Sequence, residues 1–172
     1  VEYALDELDR AMLAALHDNS RIGVLELSRT LGVARATVSA RLQRLEDTGV
    51  ITGYQPRIGL AAAGYGVQAF VTLEIAQGAL GDVVAVLEQI PGVLEAFATT
   101  GAGDVLCRVA AASHDDLQRT LIALNQSRTI ARSTSVVVLS ELVEFRAMPL
   151  LNTAETDRTP KAPAYRDSHT KR

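Results

Sequence analysis

The sequence has one cysteine, no lysine before Lys161 and no apolar run near the ~20 residues that a membrane helix requires. Cys107 by itself cannot close an internal disulfide. Paired cysteine or histidine metal motifs are missing, and His17, His114 and His169 lie far apart along the chain, so no metal site is expected. The opening Val1-Glu2-Tyr3-Ala4-Leu5-Asp6 lacks the basic-then-apolar order of a secretory signal. These absences together predict a cytoplasmic protein in a reducing setting, with no membrane partner. A surplus of positive charge is missing too. The net charge of −3 argues against a protein that coats nucleic acid through bulk attraction.

The distribution of charge is more informative than its sum. Residues 1–65 carry seven Arg against eight Asp or Glu, residues 66–148 five against nine, and residues 149–172 five Lys or Arg against three acids. One stretch of the first segment, Ala34 to Leu45, holds Arg35, Arg41 and Arg44 and no acid at all. Arginine suits planar contacts to phosphate and guanine.

The residues around that stretch follow helical periodicity. Leu5, Leu8, Met12 and Leu16 recur at steps of three and four, which predicts a first amphipathic helix, with Asp6, Glu7 and Asp9 at its positive end and Asp18-Asn19-Ser20 as its stop. A second helix is predicted from about Val24 to Thr30, ended by Gly32, and a third across 34–48 with Val38, Leu42 and Leu45 on its inner face. This is the spacing of a helix-turn-helix, whose last helix enters the major groove of DNA. The outer face then carries Ala36, Thr37, Ala40, Gln43 and Arg44, flanked by Arg35 and Arg41. Small Ala36 and Ala40 permit deep seating, Thr37 and Ser39 can reach bases or phosphates, and Arg41 and Arg44 can reach the backbone. Three arginines also fit the solvated face of any surface helix. The three-helix spacing, the Gly32 turn and the lack of acid favour the groove-reading helix. The candidate DNA-binding residues are Arg35, Ala36, Thr37, Ser39, Ala40, Arg41 and Arg44, with double-stranded DNA as partner.

Pro56 and the cluster from Gly59 to Gly66 read as a linker, with Ala61-Ala62-Ala63 able to form a helical turn. Beyond it, Val67–Ile75 alternates as a strand, and Val83, Val84, Leu87 and Ile90 form a helical stripe that Pro91-Gly92 ends. Val93–Thr100 and Val105–Ala111 read as a hairpin about Gly101-Ala102-Gly103-Asp104. Ser113 caps a helix lined by Leu117, Leu121 and Leu124, and Thr134–Phe145 reads as a last strand whose Val136–Leu139 centre is buried on both faces. The fold class is therefore α+β, a three-helix helix-turn-helix domain followed by a ferredoxin-like βαββαβ domain. Two helices cover one face of such a sheet, and the uncovered face predicts a homo-oligomer. The expected divisions are 1–52, a linker at 53–65, a second domain at 66–148, and a polar tail at 149–172 that reads as disordered or loosely docked. Cys107, inside a strand, reads as a small core residue.

Leu5-Asp6-Glu7-Leu8-Asp9, Leu31-Gly32-Val33, Thr37-Val38, Arg41-Leu42, Arg44-Leu45-Glu46, Gly49–Tyr54, Pro91-Gly92-Val93, Thr100–Asp104 and the closing valine strand together resemble the Lrp/AsnC, or feast/famine, family of transcription regulators. The resemblance covers about residues 5–145. It implies a winged helix-turn-helix joined through a strand-bearing linker to a ferredoxin-like effector domain. It further implies dimers formed through the sheets, octamers or related assemblies of dimers, and an amino-acid effector near the glycine-rich loop. Carried onto this chain, the effector residues are Gly101, Ala102, Gly103 and Asp104, with Thr134 as a further hydroxyl. Glycines let backbone N–H groups approach a carboxylate, and Asp104 can meet an ammonium. Read without the family, Gly-x-Gly-Asp is equally a plain hairpin turn. No cofactor beyond such an effector is expected. The chain departs from the family at Ala34, where a capping serine is usual.

Some tetrapyrrole decarboxylases resemble the same two-domain plan. They need cations or imidazoles around a multi-carboxylate substrate, whereas residues 66–148 are net acidic with His114 as their sole imidazole. The sequence therefore reads as a regulator and not as an enzyme.

Overall fold

The computed structural model describes residues 4–76 and 78–153. Its chain divides into two units, one formed by residues up to Pro56 with those from Glu144 onward, the other by Arg57–Val143.

In the first unit, α1 (Glu7–Asp18), α2 (Val24–Leu31) and α3 (Arg35–Asp47) form in order. Asp6 caps α1: its Oδ1 accepts from the Asp9 N–H at 2.8 Å, and Asp9 Oδ2 accepts from the Asp6 N–H at 3.2 Å. This reciprocal box satisfies two amides that a helix start otherwise leaves unpaired. Gly32 ends α2 at φ +67°, a left-handed conformation that glycine enters without a Cβ penalty. Helices this short are marginal alone. They are held by Met12, Leu27, Val38 and Leu45, each at most 1% exposed, with Leu5, Leu16, Leu31, Leu42 and Ile51 packed around them. Each fully buried side chain of this size contributes roughly 1.5–3 kcal/mol.

The second unit runs β1 (Val67–Ile75), α4 (Leu80–Glu88), β2 (Val93–Ala98), β3 (Val105–Ala111), α5 (His114–Asn125) and β4 (Ile130–Val137). The sheet order is β2-β3-β1-β4 with every neighbouring pair antiparallel, the ferredoxin-like βαββαβ arrangement. Ala69, Val71 and Leu73 of β1 and Val105, Cys107 and Val109 of β3 point into the core, where Val83, Leu87, Leu117 and Leu124 from the helices meet them. Side chains alternate across a strand, so Phe70 and Thr72 of β1 occupy the opposite face, with Val136 and Thr134 of β4 beside them in register.

Several sequence expectations change: β2 stops at Ala98 rather than Thr100, and no strand forms among the described residues between Asp47 and Val67, where the resemblance implies a strand-bearing linker. β4 begins at Ile130, not Thr134, and ends at Val137, because pairing with β1 rather than apolar content makes a strand of Ile130–Ser135. Val136 and Val137 are 66% and 41% exposed, not buried on both faces: Val136 stands on the sheet face that no described element covers, and Val137, on the other face, is the last residue of the edge strand. Part of the expected loose tail is ordered: Met148–Thr153 forms α6, and Arg10 Nε donates to the Leu151 carbonyl at 3.1 Å. The remainder of 149–172 lies outside the described residues. Val84, expected on the inner stripe of α4, is 48% exposed, because Val83 and Leu87 occupy that helix's buried side.

Candidate functional site

α3 sits on the helical core through Val38 and Leu45, both fully buried. The same rotation places Arg35, Ala36, Thr37, Ser39, Ala40, Gln43 and Arg44 on the exposed side. Six of the seven residues expected to meet DNA therefore share one solvent-facing surface. Ala34 is the N-cap, in extended conformation, and offers no side-chain acceptor, while the first turn of α3 contains no acid. The field at that helix end is thus left positive. Past the helix, the Ile51 N–H donates to the Leu45 carbonyl at 2.9 Å, which folds the chain back over the end of α3. Tyr54 donates its hydroxyl to Glu46 Oε1 at 2.8 Å. Burial, then the neighbouring Glu46 carboxylate, pushes the Tyr54 phenol up to about 12, so it stays a donor.

Arg41 differs from its neighbours. Expected at the DNA backbone, it instead bonds through Nη1 to both Asp6 and Asp9, the latter at 2.9 Å. Its side chain is 27% exposed and that of Asp9 only 1%. Burial tends to raise the Asp6 carboxyl, but the Asp9 amide and the Arg41 guanidinium outweigh it and hold Asp6 below the ordinary range. Arg41 is correspondingly held more firmly protonated, chiefly by its hydrogen bond to Asp6. The cation comes from the middle of α3 and both acids from the start of α1.

In the sheet unit, Gly101 turns at φ +111° and Gly103 lies against β1. A Cβ on Gly103 would stand 2.2 Å from Thr72 Cγ2, so any side chain there would force Thr72 or the loop to move. The Asp104 N–H donates to the Leu73 carbonyl at 2.9 Å, and Asp104 Oδ2 accepts from the Ile75 N–H at 2.8 Å. The expected ammonium partner is therefore partly engaged in fastening the hairpin to β1. Thr99 adds a bond from Oγ1 to the Gly103 carbonyl at 3.1 Å. Thr72 also pairs in register with Thr134, so the loop and Thr134 are brought together on one sheet face through a residue the sequence did not single out. Alternation along β1 could have placed Thr72 on that face, but nothing local marks its contact with Gly103.

Comparison with known proteins follows the same division. The Lrp/AsnC ligand binding domain model matches residues 68–148, and a winged helix-turn-helix DNA-binding model matches residues 5–52. The transcriptional regulator AldR of Mycolicibacterium smegmatis is 32% identical over 142 residues, which is 80% of this chain and 83% of AldR. The chain belongs to the Lrp/AsnC family. Escherichia coli AsnC is 31% identical over 138 residues, 80% of this chain and 91% of that protein. Its structure superposes with a TM-score of 0.80 at 30% identity, covering 86% of this chain and all of AsnC. A Neisseria meningitidis transcriptional regulator, solved as a complex with L-Met, superposes at 0.76 with 27% identity, covering 82% and 94% of the two chains.

As an Lrp/AsnC protein, the chain is a DNA-binding transcriptional regulator whose second domain binds a small effector. Its relatives regulate transcription, which places it apart from the decarboxylase reading. His114 stands at the exposed start of α5. Cys107 is fully buried, and burial pushes its thiol up to about 11, away from the reactive thiolate. Among the described residues no helix is long and apolar enough to cross a membrane, and no group of three or more His, Cys, Asp or Glu could hold a metal ion.

Proposed function

We propose that each subunit lays α3 in a major groove, with residues 1–52 as the reading domain, 53–65 as linker and 66–148 as the sensing and assembling domain. The single observation that carries this reading is the solvent-facing surface of α3, free of acid from Arg35 to Leu45, mounted on a fully buried seam. Ala36, Thr37, Ser39 and Ala40 approach base edges, while Arg35 and Arg44 neutralise phosphates. Binding is then salt-sensitive, and Arg44→Ala flattens the dependence of log affinity on log salt by ~0.9.

The effector is an amino acid, a reading supported by the L-Met complex of the Neisseria relative. Its carboxylate meets the backbone at Gly101, Ala102 and Gly103, its ammonium meets Asp104 Oδ1, and the Thr134 hydroxyl closes the site. The sheet face bearing Phe70, Phe97 and Val136, exposed by 42%, 53% and 66%, packs against a second copy. The dimer presents two α3 helices to a roughly palindromic site, and dimers assemble further into octamers or related forms in the cytoplasm. Thermal melting of the full chain against twenty amino acids tests the effector: a ligand at 100 times its Kd adds ~2.7 kcal/mol. If none shifts the melting point or the assembly size, the effector assignment fails while DNA binding stands.

A further inference from the structure

We propose that Arg41 is a positioning residue for DNA recognition, a clamp that fixes the register of α3 on α1 and does not itself bind phosphate. The inference rests on the reading that α3 enters the groove. Its observation is the bridge from one guanidinium nitrogen, Nη1, to both Asp6 and Asp9.

The two acids are rigid before Arg41 reaches them. Each accepts from the other's backbone N–H in the capping box that starts α1. The positive end of α1 stabilises their charge. Arg41 therefore docks on a preformed pair of carboxylates, 35 and 32 residues away in sequence. The apolar seam at Val38 and Leu45 holds α3 down but is non-directional, and tolerates small rotations or slides of the helix. A charge-assisted hydrogen bond has a preferred distance and direction. It fixes the rotation of α3, and so the direction in which Thr37, one turn before Arg41, faces. Moving Arg41 out to a phosphate would remove the cation from a carboxylate whose side chain is 1% exposed, an exchange that leaves buried charge behind.

The test uses the full chain, a duplex selected on it from a random pool, and a scrambled duplex of equal length. Asp6→Asn keeps a side chain able to cap α1 but removes one carboxylate from the clamp. Arg41→Met keeps the apolar stem and removes the cation. The expected result is a tenfold or greater loss of preference for the selected over the scrambled duplex in both variants. In Asp6→Asn this loss occurs although the protein has become one charge more positive, and the affinity for scrambled duplex holds or rises. The salt slope of Arg41→Met on scrambled duplex stays at the wild-type value. A variant that merely folds less well loses both affinities in proportion and leaves the preference intact, and that outcome overturns the proposal. So does tighter binding of both duplexes by Asp6→Asn, or a slope flattened by ~0.9 in Arg41→Met, either of which marks Arg41 as a phosphate ligand. Should Arg41→Met fail to fold, Asp6→Asn alone decides between the two roles. If the wild-type chain selects no duplex, the groove-reading assignment falls first, and the two failures are distinguishable.

Discussion

The helical unit hides Met12, Leu27, Val38 and Leu45 almost completely and turns Arg, Ser, Thr and Ala outward along α3. The sheet unit hides one face of its central strands β1 and β3 as thoroughly, yet leaves Phe70, Phe97 and Val136 on the other face of the sheet in solvent. Both surfaces are open, but their chemistry differs. A polar surface that carries no acid before Glu46 suits a hydrated polyanion, to which every contact must exchange water for phosphate or base. An apolar surface gains only by being covered, and the proposed cover is a like surface on a second copy. The two units also use charge differently. The helical unit holds Arg41 against two acids at its core edge, whereas Glu95 and Arg108 of the sheet unit sit 3.7 Å apart on its open face.

This contrast can be broken most severely from inside. Leu45→Ala removes a fully buried side chain from the small helical core and should cost about 2–5 kcal/mol. Calorimetry should then resolve an early transition for the helical unit ahead of the sheet unit; one shared shift of both would mean that the units do not melt separately. Phe97→Asp places a charge on the proposed interface and should cost the dimer at least ~2 kcal/mol, read as a smaller species by sedimentation with the far-UV spectrum unchanged. An unaltered sedimentation coefficient would dismiss that face as the interface.

Gly103→Ala tests the effector loop. Its Cβ would collide with Thr72 Cγ2, so overpacking should cost about 1–3 kcal/mol and blunt any effector response. Thr72→Ser removes that methyl, and the double variant should recover most of the loss; no recovery would place the strain elsewhere. The smallest effect sharpens the contrast rather than breaking it. Ala34→Ser supplies the cap that α3 lacks and should add ~0.5–1 kcal/mol to the helical unit, measured as a rise in its melting midpoint alone.

Much of the fold was legible because its signals are local. Steps of three and four picked out Met12, Val38 and Leu45, and Gly32 announced the turn it makes at φ +67°. Ser113 was legible as the cap of α5, where its hydroxyl accepts from the Asp116 N–H at 3.1 Å. The site was legible to the extent that helical rotation is arithmetic, which put Thr37 and Arg44 outside. Rotation also put Arg41 on a flank, but could not say what waited there.

Periodicity, capping chemistry and glycine placement thus determined the order and kind of the elements, because each depends on neighbours within a turn or two. The tertiary structure alone decided that Arg41 closes on Asp6 and Asp9, that Gly103 lies on Thr72, and that β4 ends at Val137 with Val136 and Val137 exposed. Those outcomes depend on which distant segments meet, and residues of like local character can meet partners, solvent or a second chain.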